Sequence, residues 1–135
     1  MILNSAKDLD VYKKAYELAM TIFRLSKTFP DEERFALTGQ IRRSSRSVCL
    51  NLSEAWSKRR YEAHFISKLT ECDGENSETD SSLDFAKDCK YITVECLAEL
   101  TALCQQLGRM IGSMIRNPSP FLKCSLLISG FFADL

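Results

Sequence analysis

The sequence predicts an all-α protein, an antiparallel up-and-down four-helix bundle with a short apolar C-terminal tail. Apolar residues recur at helical spacing in four stretches, and no stretch alternates apolar and polar residues as a strand does. Only 5 glycines and 3 prolines occur among 135 residues, which disfavours a turn-rich all-β fold. A chain of this length suits one domain with a buried core. We therefore assign residues 1–117 to the bundle and residues 118–135 to the tail.

The first two helices are expected at about 6–28 and about 31–56, from the spacing of their apolar residues. Ser5 and Asp8 have the spacing of a capping box, and Pro30 ends the first helix because proline lacks an amide hydrogen. The predicted core positions are Val11, Ala15, Leu18, Ala19, Ile22, Leu25 and Phe29, then Leu37, Ile41, Ser44, Ser45, Val48, Leu52 and Ala55.

The last two helices are expected at about 60–89 and about 91–116. Neither glycine nor proline separates them, but one continuous helix would be about 85 Å long, too long for a compact domain. We therefore place a break between Cys89 and Thr93, while the prolines at 118 and 120 end the fourth helix. The predicted core positions are Phe65, Leu69, Cys72, Asn76, Thr79, Leu83 and Ala86, then Leu97, Leu100, Cys104, Leu107, Ile111 and Met114.

The zero net charge hides two oppositely charged segments. Residues 34–60 carry seven Lys or Arg side chains against one Glu, and residues 71–88 carry seven Asp or Glu side chains against one Lys. Two interpretations stay open: the segments pair with each other within or between subunits, or the basic side chains bind RNA or DNA phosphate. The candidate nucleic-acid-binding residues are Arg42, Arg43, Arg46, Lys58, Arg59 and Arg60.

The sequence lacks the usual marks of an enzyme. His64 is the single histidine, and the chain has neither a Gly-rich phosphate loop nor a nucleophile motif. We predict no catalytic residue, no metal and no cofactor.

The six cysteines form no C-x-x-C pair, which favours the buried, reduced thiols of a cytoplasmic protein. With no apolar leader and no apolar run of about 18 residues, we expect neither export nor a membrane span. For the apolar tail, residues 121–135, three alternatives stay open: a short helix packed on the bundle or on a neighbouring subunit, disorder, or a membrane anchor.

Several blocks of the sequence resemble a known family, the four-helix bundle proteins encoded in intervening sequences of bacterial 23S rRNA genes. The resemblance covers about residues 8–116 and depends on the order of the blocks. These are DLDVY (8–12), GQIRRSSRSV (39–48), NLSEA (51–55), FISKL (65–69), ENSET (75–79), LDFA (83–86) and YI (91–92). Lys90 departs from the pattern, because the family usually has glycine there.

The resemblance implies an up-and-down bundle that assembles with itself into a five-membered ring, with no assigned biochemical function. A related group, the accessory variability proteins of diversity-generating retroelements, is similar in fold and binds nucleic acid through a basic surface. By resemblance, Arg42, Arg43 and Arg46 occupy the basic positions of the second helix, while Asn51 and Glu54 occupy polar positions in the core or between helices. The expected partners are therefore copies of the same chain, RNA or DNA, or a partner protein.

Overall fold

The structure is a computed structural model that describes residues 3–123. It confirms the predicted fold class, because four α-helices and three short 3₁₀ turns, with no strand, make up the secondary structure of this range. The helices are α1 (Asp10–Ser26), α2 (Leu37–Ser57), α3 (Glu62–Asp88) and α4 (Val94–Arg116). The 3₁₀ turns are Ala6–Asp8, Asp31–Glu33 and Ser119–Phe121.

The helices run up and down around one core. Each helix packs on the next one in the chain, and α1 also packs on α4, which closes the bundle. At one end, Tyr91 after α3 donates its hydroxyl to Glu33 before α2, at 2.8 Å. At the other end, the Lys123 amide after α4 donates to the Arg59 carbonyl between α2 and α3, at 3.1 Å. Consecutive helices are therefore antiparallel.

Nearly all of the predicted core positions of the four helices are confirmed. All seven positions of α3 are buried, and α4 buries its five positions from Leu100 to Met114. Leu25, Leu37 and Leu97 are only partly buried and pack against the outside of the core. The 3.6-residue period of the sequence therefore identified the inward-facing side of each helix.

The first two helices begin later than the sequence predicts. Ser5 and Asp8 form the expected capping box, but they close only a 3₁₀ turn, because Leu9 is extended and separates that turn from α1. The acidic residues 31–33 likewise form a separate turn rather than the start of α2. Glu33 instead accepts a hydrogen bond from the Leu37 amide at 3.2 Å, which satisfies a free donor at the α2 N-terminus.

The break between α3 and α4 lies where it was expected, and its geometry shows how a chain without glycine makes it. Lys90 has a left-handed φ of 67°. The Tyr91 amide donates to the Ala86 carbonyl at 2.8 Å and the Lys90 amide to the Lys87 carbonyl at 2.9 Å, which is the Schellman pattern. Thr93 then caps α4 by accepting from the Cys96 amide at 3.0 Å.

Buried polar side chains join neighbouring helices. The hydroxyls of Ser44 on α2 and Thr79 on α3 lie 2.8 Å apart, and both side chains are fully buried. The Asn76 amide on α3 donates to the Cys104 carbonyl on α4 at 2.8 Å. Because a buried polar group without a partner is costly, these bonds favour one helix register over others.

The cysteines follow the prediction only in part. Cys49, Cys72 and Cys104 are buried free thiols, but Cys89 is exposed because it lies in the turn that ends α3. Cys124 and most of the predicted tail lie outside the described residues, while Phe121 stacks on Phe65 with ring centroids 6.4 Å apart. Within residues 3–123, no helix is long and apolar enough to cross a membrane.

Candidate nucleic-acid interface

The six predicted binding residues lie in three places rather than on one surface. Arg42 and Arg46 lie on the α1 side of α2, Arg43 lies on its α3 side, and residues 58–60 form the turn that follows α2. At the rise of an α-helix, about 24 Å separates Arg42 from Lys58 along the axis. That distance corresponds to about seven steps of duplex at 3.4 Å each.

On the α1 side, Arg42 is held by the end of α1. Its Nε donates to the Ser26 hydroxyl at 2.7 Å, and its Nη2 donates to the Phe23 carbonyl at 3.4 Å. The guanidinium groups of Arg42 and Arg46 lie 4.8 and 5.5 Å from the centre of the Phe23 ring. Arg42 is therefore half-buried and stabilises the negative end of the α1 dipole, whereas Arg46 is exposed.

Two further cations lie beside Arg42. Lys27 and Arg34 line, together with Arg42, an open pocket of about 280 Å³, in which Asp31 is the one acidic lining residue. We call Lys27, Arg34, Arg42 and Arg46 the junction surface. Lys27 was missed in the sequence because it follows α1, and only packing brings it next to α2.

Arg43 is neutralised within its own chain. Its guanidinium donates to both Glu75 carboxylate oxygens, at 3.0 and 3.1 Å, and forms a second ion pair with Glu78. These hydrogen bonds raise the pKa of Arg43, and the bond from Arg43 lowers the pKa of Glu75. Pairing between the basic and acidic segments therefore occurs for Arg43 inside one subunit, and this side chain has few donors left for phosphate.

Residues 58–60 stay together at the opposite end of α2, and we call Lys58, Arg59 and Arg60 the turn cluster. Arg59 lies over the Trp56 ring at 3.9 Å and donates to the Trp56 carbonyl at 2.7 Å. The cluster lines an open pocket of about 400 Å³. The pocket also includes Tyr61, His64 and Lys123, which are not among the six predicted binding residues.

The resemblance also implies that Asn51 and Glu54 occupy polar positions in the core or between helices. Asn51 is buried and donates to the Ser47 carbonyl of its own helix at 3.0 Å. Glu54 is exposed and pairs with Lys68 of α3 at 3.4 Å. In the part of the chain that the structure describes, no three His, Cys, Asp or Glu side chains gather in a way that would hold a metal ion.

The fold and the surface together define a class of protein, a four-helix bundle with basic side chains at both ends of its second helix. A sequence model of the family described as 23S rRNA-intervening sequence protein matches residues 7–113. Because this match spans most of the chain, the chain belongs to the 23S rRNA-intervening sequence protein family.

A solved structure from Bacteroides thetaiotaomicron agrees with this assignment. It is described as a protein with unknown function from the S23 ribosomal protein family. It is 30% identical to this chain with a TM-score of 0.72, and the match covers 79% of this chain and 96% of the other. No curated protein matches the sequence.

Proposed function

We propose that this protein is a non-enzymatic bundle that assembles with itself and binds RNA or DNA through phosphate contacts made by α2 and the turn after it. The turn cluster supports the proposal most directly, because its three consecutive cations lie in an open pocket beside two aromatic rings. Guanidinium groups match phosphate oxygens in geometry, and clustered cations raise the local potential although the net charge is zero.

The contribution of each predicted residue follows from its surroundings. Lys58, Arg60 and Arg46 are exposed and contact phosphate in this proposal, and Arg59 does so while it stacks on Trp56. Arg42 contributes through the donors that the end of α1 leaves free. Arg43 contributes least, because Glu75 and Glu78 already accept its donors.

Self-assembly is the second part of the proposal. Several large apolar side chains are exposed, above all Phe35 at 89%, Phe85 at 65% and Leu50 at 64%. Burial of such side chains against another copy of the chain would remove apolar surface from water. By resemblance the assembly is a pentamer. Light scattering of the full chain tests this part, since a monomeric mass would contradict it.

Salt titration of single-stranded RNA binding tests the phosphate contacts. We expect the logarithm of the affinity to fall linearly with the logarithm of the salt concentration. Each neutralised phosphate should contribute about −0.7 to the slope. Reversing the turn cluster (Lys58→Glu, Arg59→Glu, Arg60→Glu) should weaken binding by on the order of tenfold or more at low salt. The matched control reverses three exposed cations elsewhere (Lys7→Glu, Lys13→Glu, Arg109→Glu). A flat salt dependence would contradict phosphate binding, whereas equal losses in both variants would contradict its placement at the turn cluster.

An alternative is a protein scaffold in which the basic side chains pair with α3 of a neighbouring subunit. It is favoured by Asp73 and Asp84, which are exposed and have no cation within 4.0 Å among residues 3–123. The two functions predict different solution masses for the assembly formed by the variant that carries the reversed turn cluster. Dissociation to monomers supports the scaffold, whereas an intact assembly that has lost RNA supports nucleic-acid binding.

A further inference from the structure

The pocket at the turn cluster is larger than the pocket beside Arg42, and more cations line it. It is an open concavity of about 400 Å³ between the end of α2 and the start of α3. Four side chains that carry a full positive charge and one imidazole line it, together with a phenol ring. These lining residues are Lys58, Arg59, Arg60, Tyr61, His64 and Lys123.

Backbone hydrogen bonds hold the pocket from three sides. The Lys58 amide donates to the Glu54 carbonyl at 3.0 Å, which ends α2, and the Tyr61 amide donates to the Lys58 carbonyl at 3.1 Å. The Lys123 amide donates to the Arg59 carbonyl at 3.1 Å, so the segment after α4 closes the third side. The cations are thus brought together by a built turn before any ligand binds, which lowers the entropy cost of binding.

The positive charge of the pocket is not cancelled nearby. Over residues 3–123, none of its Lys and Arg side chains has a carboxylate within 4.0 Å, and Glu62 is the acidic residue adjoining the pocket in sequence. The N-terminus of α3 opens here, and no side chain caps its first amides. The helix dipole therefore adds to the attraction for an anion.

We infer that this pocket binds the terminal phosphate of an RNA strand. This inference rests on the proposed function and makes its ligand more specific. A terminal phosphate is a monoester with a charge of about −1.5 to −2, whereas an internal phosphodiester carries about −1. A concave pocket also admits the end of a strand more readily than a link with a nucleotide on both sides.

The aromatic rings beside the cations give the inference its second support. The rings of Tyr61 and His64 lie 5.5 Å apart with an angle of 60° between them, and both residues are exposed. Exposed aromatic faces stack on bases of single-stranded RNA without sequence preference. The pocket therefore offers cations for the phosphate and rings for the terminal base at one place.

The first test compares the ends of one short RNA. Oligonucleotides of the same sequence carry a 5′-phosphate, a 3′-phosphate or hydroxyls at both ends, with the label placed away from the phosphate. We expect one phosphorylated end to bind about tenfold tighter than the hydroxyl form, the gain of one charged hydrogen-bonding group. The preferred end identifies which strand terminus is recognised.

The same comparison separates the two proposals. Equal affinities of all three RNAs would overturn the terminal-phosphate site and leave general phosphate binding in place. No binding of any RNA would overturn both. Lys58→Ala together with Arg60→Ala should abolish the preference, while Lys13→Ala should keep it, because Lys13 is exposed on α1. Circular dichroism of each variant verifies that the helices remain.

His64 provides a direct probe, because it is the single histidine of the chain. Its imidazole proton signals should shift saturably when adenosine 5′-monophosphate is added to the full-length protein. Adenosine without the phosphate serves as the control and should give a much smaller shift. Equal shifts with both compounds, or none with either, would show that the phosphate does not bind in this pocket.

Discussion

Two acidic side chains of α3, Glu75 and Asp80, lie five residues apart in opposite surroundings. Glu75 accepts hydrogen bonds from Arg43 and Ser47, and the bond from Arg43 chiefly lowers the pKa of Glu75. Asp80 has a buried carboxylate oxygen with no hydrogen-bond partner in the described structure. Burial, and then the charge of Asp84, raise the pKa of Asp80. Ionised Glu75 therefore stabilises the fold, whereas ionised Asp80 destabilises it.

This contrast predicts opposite effects of Glu75→Gln and Asp80→Asn. At about pH 7 we expect Glu75→Gln to lower the free energy of unfolding by up to about 1 kcal/mol, as a surface ion pair does. The Glu75 contribution is present above its unfolded pKa of about 4.3 and is lost as pH falls through its lower folded pKa. We expect Asp80→Asn to raise the free energy of unfolding at neutral pH, because it removes a poorly solvated charge.

Urea denaturation at neutral and acid pH checks both signs. Each difference from the parent protein should shrink as pH falls, since protonation of the two carboxyls removes their charges. Glu71→Gln is a control on the exposed side of the same helix, where the carboxylate pairs with Lys68. Effects of equal sign, or effects that do not change with pH, would contradict this account.

The turns between the helices decide where each helix of this bundle ends, and the turn at Lys90 is the clearest case. A non-glycine residue in the left-handed region costs about 1–2 kcal/mol relative to the right-handed one. The Schellman hydrogen bonds and the contact of Tyr91 with Phe29, whose ring centroids lie 5.3 Å apart, hold the turn against this cost. Packing therefore imposes a break that the local sequence does not favour.

We predict that Lys90→Gly stabilises the protein. The gain should be about 0.5–1 kcal/mol, because relief of the left-handed strain exceeds the added entropy of glycine in the unfolded chain. The matched control is Ser81→Gly, at an exposed position inside α3, which should lose up to about 0.5 kcal/mol. Chemical denaturation measures both. A loss of stability in Lys90→Gly would show that the lysine side chain itself holds the turn.

At the scale of the whole molecule, the buried thiols report on the core. Cys49, Cys72 and Cys104 lie on three different helices and are all buried. Burial raises the pKa of Cys49 to about 11 and those of Cys72 and Cys104 to about 12. The thiolate is the reactive form of cysteine. These three cysteines are therefore protected from thiol reagents, because burial keeps the reagent away and the raised pKa leaves little thiolate, whereas Cys89 is exposed.

We therefore predict a two-stage alkylation at neutral pH. Cys89 should react at once, and the three buried thiols should react together, at the rate at which the bundle opens as a unit. Peptide mapping by mass spectrometry after timed labelling distinguishes the sites. Early labelling of Cys104 alone would show that α4 opens independently of α2 and α3.

The sequence predicted more of the fold than of the candidate site. The helical period identified the buried side of each helix. The break after Cys89 followed because one continuous helix would be too long for a compact domain. The starts of α1 and α2 were placed too early, because acidic residues suit a 3₁₀ turn and a helical first turn equally well. Leu9 and Ala36, whose backbones leave the helical conformation, gave no sign of it in their residue type.

For the site, the sequence by itself determined that basic residues gather along α2 and the turn after it, and that the inward stripe excludes them. Only the tertiary structure decided which of them face solvent. Arg42 meets the end of α1, Arg43 meets two carboxylates of α3, and Lys58 shares a pocket with the distant Lys123. The physical reason is that burial repeats with the helix period along the chain, whereas the partner of a charged side chain depends on how neighbouring helices are set against each other.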